Sequence, residues 1–391
     1  MNRNLWLLAG AQGLFLTNNV VFIAINGLVG LSLAPLGWMA TLPVMGYVVG
    51  GALSTPLVAR TQSALGRKAS FQIGLLVALA SALLCAWAVM DRNFWLLVAA
   101  TVIAGYYSAN GQLYRFAAAE LSSPAFREKA VSLVLAGGLA GAVLGPNLAT
   151  RTKDWMAVPF AGAYVALAAV ALLSMAVIAF MSFPPLPPKV AGAERGRPLR
   201  VIIRQPIFIV ATAGAALGYG VMNLLMAATP LAMQVCGFPF EDAALVLEWH
   251  VIGMFAPGFV TGHLIKRFGV LTIMGVGVVL NAACIAVALT GVDLHQFLIA
   301  LFLLGVGWNF LFTGSTTLSL QAYRPEEKDR AQAAINFFVF ATMALTSFAS
   351  GALVTTQGWQ WLNLGSLVPV ALTGLALAWL AWSRRSVRQP R

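Results

Sequence analysis

The sequence predicts an all-α polytopic membrane protein of about twelve transmembrane helices, and three observations predict it. Of the 391 residues, 60% are hydrophobic and only 9% charged, with a mean hydropathy of +0.85. A soluble domain covers its surface with far more charge, so the solvent for most of this chain is lipid. A span needs roughly 20 apolar residues, so twelve spans with short loops use about the length present. The apolar runs are also punctuated by turns and charges at the required intervals.

The runs predict helices near 5–30, 37–59, 71–90, 94–117, 129–150 and 157–181, then near 207–233, 243–264, 270–290, 296–321, 331–353 and 360–383. Arg3 followed by LWLLAGAQGLFL resembles a signal peptide, but the apolar pattern continues past Gly30 without a small-residue cleavage site. It reads as a retained first helix. Between the two sets of six lies SFPPLPPKVAGAERGRPLRVIIRQP, rich in Pro and Arg. The expected organisation is therefore a bundle over 1–183, a cytoplasmic linker over 184–206 and a second bundle over 207–391.

The net charge of +12 raises nucleic acid as a partner, yet the basic residues cluster between apolar runs rather than among stacking aromatics. They act as topology determinants. With both termini inside, only Arg92, Arg151 and Lys153 of the 24 Lys and Arg lie outside, so the positive-inside rule sets the orientation. Cys85, Cys236 and Cys284 are isolated and odd in number, which excludes a disulfide framework.

The two sets of helices resemble each other. SSPAFREKA joins helices four and five, and RPEEKDRAQ joins helices ten and eleven. Pro124 matches Pro325, and Arg127-Glu128-Lys129 matches Lys328-Asp329-Arg330, at a spacing of 201 residues. After helix eight stands GHLIKRFG (Gly262 to Gly269), while the loop after helix two keeps Gly66-Arg67-Lys68; helix five carries GLAGAVLGP (Gly138 to Pro146). These resemble the G-x-L-x-D-R-x-G signature and the Gly-Pro motif of major-facilitator transporters, with Lys266 in place of the acid. The resemblance implies two parallel six-helix repeats and a substrate site near the midplane between them.

Ionisable residues at that depth are functional candidates by default. Asp91, Asp154, Glu241, Asp242 and Asp293 fall in outer loops or their edges, whereas Glu120, Glu128, Glu194, Glu326, Glu327 and Asp329 are cytoplasmic. Only Glu248, in helix eight, is left, and no Lys or Arg lies deep in a span. That pattern speaks against sugar-phosphate and carboxylate carriers and against antiporters that exchange cationic drugs for protons. Gln12, Asn18, Asn19 and Asn26 line helix one, as a polar path or as interhelical hydrogen bonds.

Helix seven places Met222 and Met226 at i and i+4, and helix eight places His250 and Met254 likewise, at similar depths. Residues so spaced share a face roughly 6 Å apart. Soft thioethers with imidazole suit Cu(I) better than Zn(II), Mg(II) or Ca(II), and Glu248 is the nearest carboxylate to balance the charge. Met233 and Cys236 at the outer end of helix seven are further candidate sulfur ligands. Against this stands packing, because Met fills gaps in apolar helices.

MxxxM followed by HxxxM resembles the CcoA-like copper importers, a major-facilitator branch supplying copper for cbb-type cytochrome oxidase assembly. That resemblance implies Met222, Met226, His250 and Met254 as copper-binding residues, import across the bacterial inner membrane, and a cytoplasmic copper chaperone as partner. Copper is then cargo, with no prosthetic group, no enzymatic activity and a monomer as the expected state. The rivals are an efflux pump for an apolar drug or metabolite and a non-transporting copper sensor.

Overall fold

Helices dominate because lipid offers the backbone no hydrogen-bond partners, so each segment satisfies its own. The computed structural model describes residues 3–123, 127–183, 196–324 and 327–388. Pro124, Pro325, Glu194, Glu326 and most of the predicted linker lie outside the described residues.

The helices are α1 (Arg3–Leu33), α2 and α3 (the two arms of Leu42–Met90), α4 (Phe94–Gly111, resumed as Tyr114–Glu120), α5 (Arg127–Thr152) and α6 (Ala161–Ala179). The second set comprises α7 (Pro206–Val235), α8 (Phe240–Phe255, bent into Gly258–Phe268), α9 (Val270–Leu289), α10 (Leu294–Ser319), α11 (Lys328–Thr356) and α12 (Gly358–Arg388). Among the described residues, nine helices are long and apolar enough to cross a membrane, and the bent pair makes ten. Splitting Leu42–Met90 at Gly66 and adding Phe94–Gly111 brings the count to twelve, the number the sequence predicts.

The split is a true reversal. Gly66 has φ 81° and ψ 172°, and the Thr61 and Ser70 hydroxyl oxygens beside it stand 3.0 Å apart. Nine residues of straight helix would separate them by about 13 Å. Gly269, at the matching corner between α8 and α9, has φ 87° and ψ 150°. Both corners need a residue without Cβ, which is why a glycine survives in each copy of the signature. The 201-residue spacing relates corresponding helices, since Arg127 falls in α5 and Lys328 in α11.

The small residues of α5 press into α1: a Cβ on Gly141 would overlap the Gly13 carbonyl, and Gly145 faces Val20. Tryptophans ring the two ends, with Trp87, Trp95, Trp155 and Trp361 exposed at one and Trp6, Trp379 and Trp382 at the other. Such aromatic belts mark membrane–water interfaces.

Contacts between the first and last six helices gather at the Lys153 end, expected outside. Lys153 Nζ lies 3.4 Å from Glu241 Oε1, the Gly351 N–H donates to Thr41 Oγ1 at 3.0 Å, and Trp38 packs on Phe348. At the opposite end the polar bonds run within each set. Arg67 grips Glu120 through Nε and Nη2, and Lys68 Nζ donates to the Ala179 carbonyl at 2.7 Å. The fully buried Glu327 carboxylate accepts from the Arg197 backbone N–H and guanidinium and from the Arg324 N–H, which hold its pKa at about 2.

Two predictions follow from this packing. Gly141→Leu is expected to lower the Tm of the purified protein, an overpacking cost of about 1–3 kcal/mol. Gly275→Ala, where a Cβ meets nothing within 4 Å, leaves Tm within a degree or two. Glu327 stabilises the fold when ionised, so its contribution is present above the ordinary glutamate range and lost as pH falls through about 2. The Tm gap between wild type and Glu327→Gln is therefore widest near about pH 7 and narrows below about pH 5.

Candidate functional site

Residues from α7, α8 and α10 build a buried region of the second set in which polar side chains stand among apolar ones. Pro206 pre-sets the first turn of α7, and Asn223 ties that helix to α11 by donating to Met343 O and to the Thr346 and Ser347 hydroxyls. With that face fixed, Tyr219, Met222 and Met226 share the neighbouring one. Met222 and Met226 are buried in the same apolar cluster as Met254.

His250 is also fully buried, but its Nδ1 edge is committed to α10. Nδ1 lies 2.6 Å from the Leu301 carbonyl oxygen, which can only accept, so Nδ1 carries the proton. Nε2 is left as a buried lone pair with no partner among the described residues. Gly305 makes this arrangement possible, since a Cβ there would overlap the His250 carbonyl. The Asn309 amide adds a second tie by donating to Met254 O at 2.7 Å.

Glu248 does not balance a charge among the thioethers. It sits about 200° around α8 from His250 and faces α5, accepting from Asn147 Nδ2 at 3.1 Å. There it lines a cavity of about 180 Å³ with Pro146, Asn147, Thr150, Glu241 and Leu245, on the seam between the two sets of helices. Met233 is fully buried whereas Cys236, the α7 C-cap, is exposed, so the two sulfurs lie in different surroundings. Among the described residues, no three His, Cys, Asp or Glu side chains converge.

Two features were not legible as site residues. The first is an aromatic group: Trp308 and Phe312 stack at 5.1 Å and 9°, Tyr219 meets both edge-on at 5.3 and 5.5 Å, and Phe255 lies 6.2 Å from Trp308. Trp308 thus meets both α7 and α8, and its indole Nε1 is buried without a partner among the described residues. The only signal was the i, i+4 spacing in GVGWNFLF. The second is Arg115, just past the break in α4, whose guanidinium lies 5.0 Å from the Phe116 ring centroid and whose Nε is buried without a partner among the described residues. In α1 the polar residues bond between helices. Asn26 accepts from Tyr164 at 2.7 Å and Asn19 from Tyr47 at 2.5 Å.

Comparison with known proteins fixes the family. The Major Facilitator Superfamily profile matches residues 5–258 and 245–391. The chain belongs to the major facilitator superfamily. Within this superfamily it is 37% identical, over 364 residues, to the riboflavin transporter RfnT of Brucella anthropi, spanning 92% of this chain and 91% of that one. It is 28% identical to the uncharacterised transporter YdeG of Bacillus subtilis, over 88% of this chain and 83% of that one. Among solved structures, a D-xylose–proton symporter superposes with a TM-score of 0.72 at 13% identity, covering 96% of each chain, which speaks to the fold alone. The chain is accordingly a multi-pass secondary transporter in a lipid bilayer, not an enzyme.

The burial pattern predicts the reactivity of the three thiols. An impermeant maleimide added to intact cells labels Cys236, at the end expected outside, while the buried Cys85 and Cys284 stay unlabelled. Labelling is lost in Cys236→Ser, and labelling only after permeabilisation would reverse the predicted orientation.

Proposed function

We propose that this chain imports riboflavin, or a closely similar planar heterocycle, across the bacterial inner membrane by alternating access. The observation that carries this reading is the 37% identity to a riboflavin transporter along nearly the full length of both chains. The interior chemistry supports it. Riboflavin is uncharged with a broad aromatic ring, and the α7–α8–α10 region offers stacked aromatic faces with single polar atoms, Trp308 Nε1 and His250 Nε2. Aromatic bodies with a few fixed polar groups are how proteins bind such ligands.

The movement assigned here is a rocking of 1–183 against 207–391, connected by 184–206. Opening breaks the contacts of Lys153, Thr41 and Asn147 at the outer end, which admits substrate from outside. Termini in the cytoplasm follow from the basic residues.

A second reading keeps copper as the cargo, and one observation favours it. A backbone carbonyl on Nδ1–H fixes the imidazole with Nε2 free, the arrangement that orients metal-ligating histidines, and Met222, Met226 and Met254 are buried as well. Monomeric function and delivery to a cytoplasmic chaperone belong to that reading.

Uptake by a riboflavin-auxotrophic strain separates the two. Expression is expected to restore growth on low external riboflavin and to drive uptake of labelled riboflavin, with labelled copper unchanged. Trp308→Ala removes a stacking contact of about 1 kcal/mol and raises the half-saturating concentration several-fold. Copper uptake that depends on the chain and falls in His250→Ala, without riboflavin uptake, would establish the second reading instead. Vesicles that extrude the solute would make the chain an exporter.

A further inference from the structure

At the end of the second set expected inside, a short turn, Leu199–Ile202, precedes α7 and crosses nothing. The fully buried Glu327 carboxylate fixes it, accepting from the Arg197 backbone N–H at 2.7 Å and from Nε and Nη2 at 2.8 and 2.7 Å. Arg197 Nη2 and Gln205 Nε2 share the Ala322 carbonyl, at 3.1 and 2.8 Å. Both flanks of the turn are thereby tied to the residues just past α10. Ile202 completes the attachment, fully buried with Phe208, Ala322 and Ala331.

The opposite face has no cover among the described residues. Ile203 keeps helical dihedrals, φ −68° and ψ −17°. At about 100° per residue, Arg200 and Arg204 therefore point some 160° away from Ile202, on one side of the turn. Leu199 and Ile203 flank them on one edge and Val201 on the other, and all five residues are exposed. Neither arginine has a carboxylate within ion-pair distance among the described residues.

The neighbouring helix sets the depth. Val210 and Ala211 of α7 share an apolar cluster with Leu377 and Leu380 of α12, and the exposed Trp379 and Trp382 mark the membrane–water boundary beside them. The turn lies just beyond that boundary, in the headgroup layer. Aliphatic side chains exposed there reach the upper acyl chains, while a guanidinium matches the oxygens of a phosphate.

We infer that Arg200 and Arg204, flanked by Leu199, Val201 and Ile203, form a docking face for anionic phospholipid headgroups of the cytoplasmic leaflet. Charge selects the occupant, because two unpaired guanidiniums at i and i+4 call for an anion. The apolar flanks select a lipid over a soluble one. Docking would hold the second set in the leaflet while the first rocks against it, whichever solute is carried.

The test is binding of phosphatidylglycerol and of zwitterionic phosphatidylcholine with matched chains to the purified full chain, read by native mass spectrometry. Wild type is expected to prefer phosphatidylglycerol by roughly tenfold or more, as two arginines at a membrane surface supply. The double variant Arg200→Gln with Arg204→Gln brings that ratio towards one. Arg3→Gln with Arg60→Gln, which removes the same charge from exposed positions at the inner end of the first set, leaves it unchanged. Leu199→Ser with Ile203→Ser weakens both lipids and keeps the ratio. Wild type without a preference, a ratio unaltered in the Arg200 and Arg204 variant, or an equal fall in the Arg3 and Arg60 control overturns the assignment. So does displacement of the lipid by inorganic phosphate, which would make the face a free-anion site. A preference that emerges only in Glu194→Gln would place the linker's own carboxylate on this face instead. No transported solute enters the readout, so its failure leaves the flavin reading standing.

Discussion

Hydrocarbon offers a backbone nothing to bond with, and this constraint governs the rest of the molecule. Each crossing segment becomes a helix, and helices that cannot rely on the hydrophobic effect to associate hold together through close backbone approach. Hence the small residues of α5 against α1, and glycines at the two corners where the chain must reverse between helices. Hence too the placement of charge. Nearly every ionic contact is drawn to the ends, where Arg67, Lys153 and Glu327 find partners, and the interior is left to neutral polar groups.

That neutrality shapes what the transporter is suited to carry. An interior with no paired charges cannot repay the desolvation of a strongly ionic solute, but it accommodates a flat, uncharged one. Trp308 connects the parts: it meets both α7 and α8, stacks on Phe312, and lies in the same layer as Met254 and Tyr219. The thioethers then act as polarizable walls beside an aromatic platform, a role that Met fills readily. His250 adds a fixed acceptor, because the Leu301 carbonyl decides which nitrogen carries its proton.

Much of this was legible in the sequence. Hydropathy alone located the helices, and the Pro and charge spacing exposed the repeat, because both record a lipid boundary that acts on every residue. Bounds shifted where polar residues continue a helix, as at 60–65, and the bend at Pro257 within the helix predicted near 243–264 was not foreseen. The four residues at i, i+4 are all buried. What periodicity along one helix could not reveal was its rotation against partners distant in sequence. His250 turns to Leu301, and Trp308 reaches Tyr219. Glu248 is the instructive case, since helical geometry already set it opposite His250. Counting it among the thioethers weighed nearness in sequence above direction.

The central claim is that a flavin ring stacks on the α7–α10 aromatic platform. The most direct measurement is a titration of riboflavin with the purified protein, followed by flavin fluorescence, since stacking on Trp and Tyr quenches it. The account predicts saturable quenching at one riboflavin per chain that is strongly reduced in Trp308→Ala. Unquenched flavin, alongside tight Cu(I) binding that disappears in His250→Ala, would contradict it and return the thioethers to the role of metal ligands.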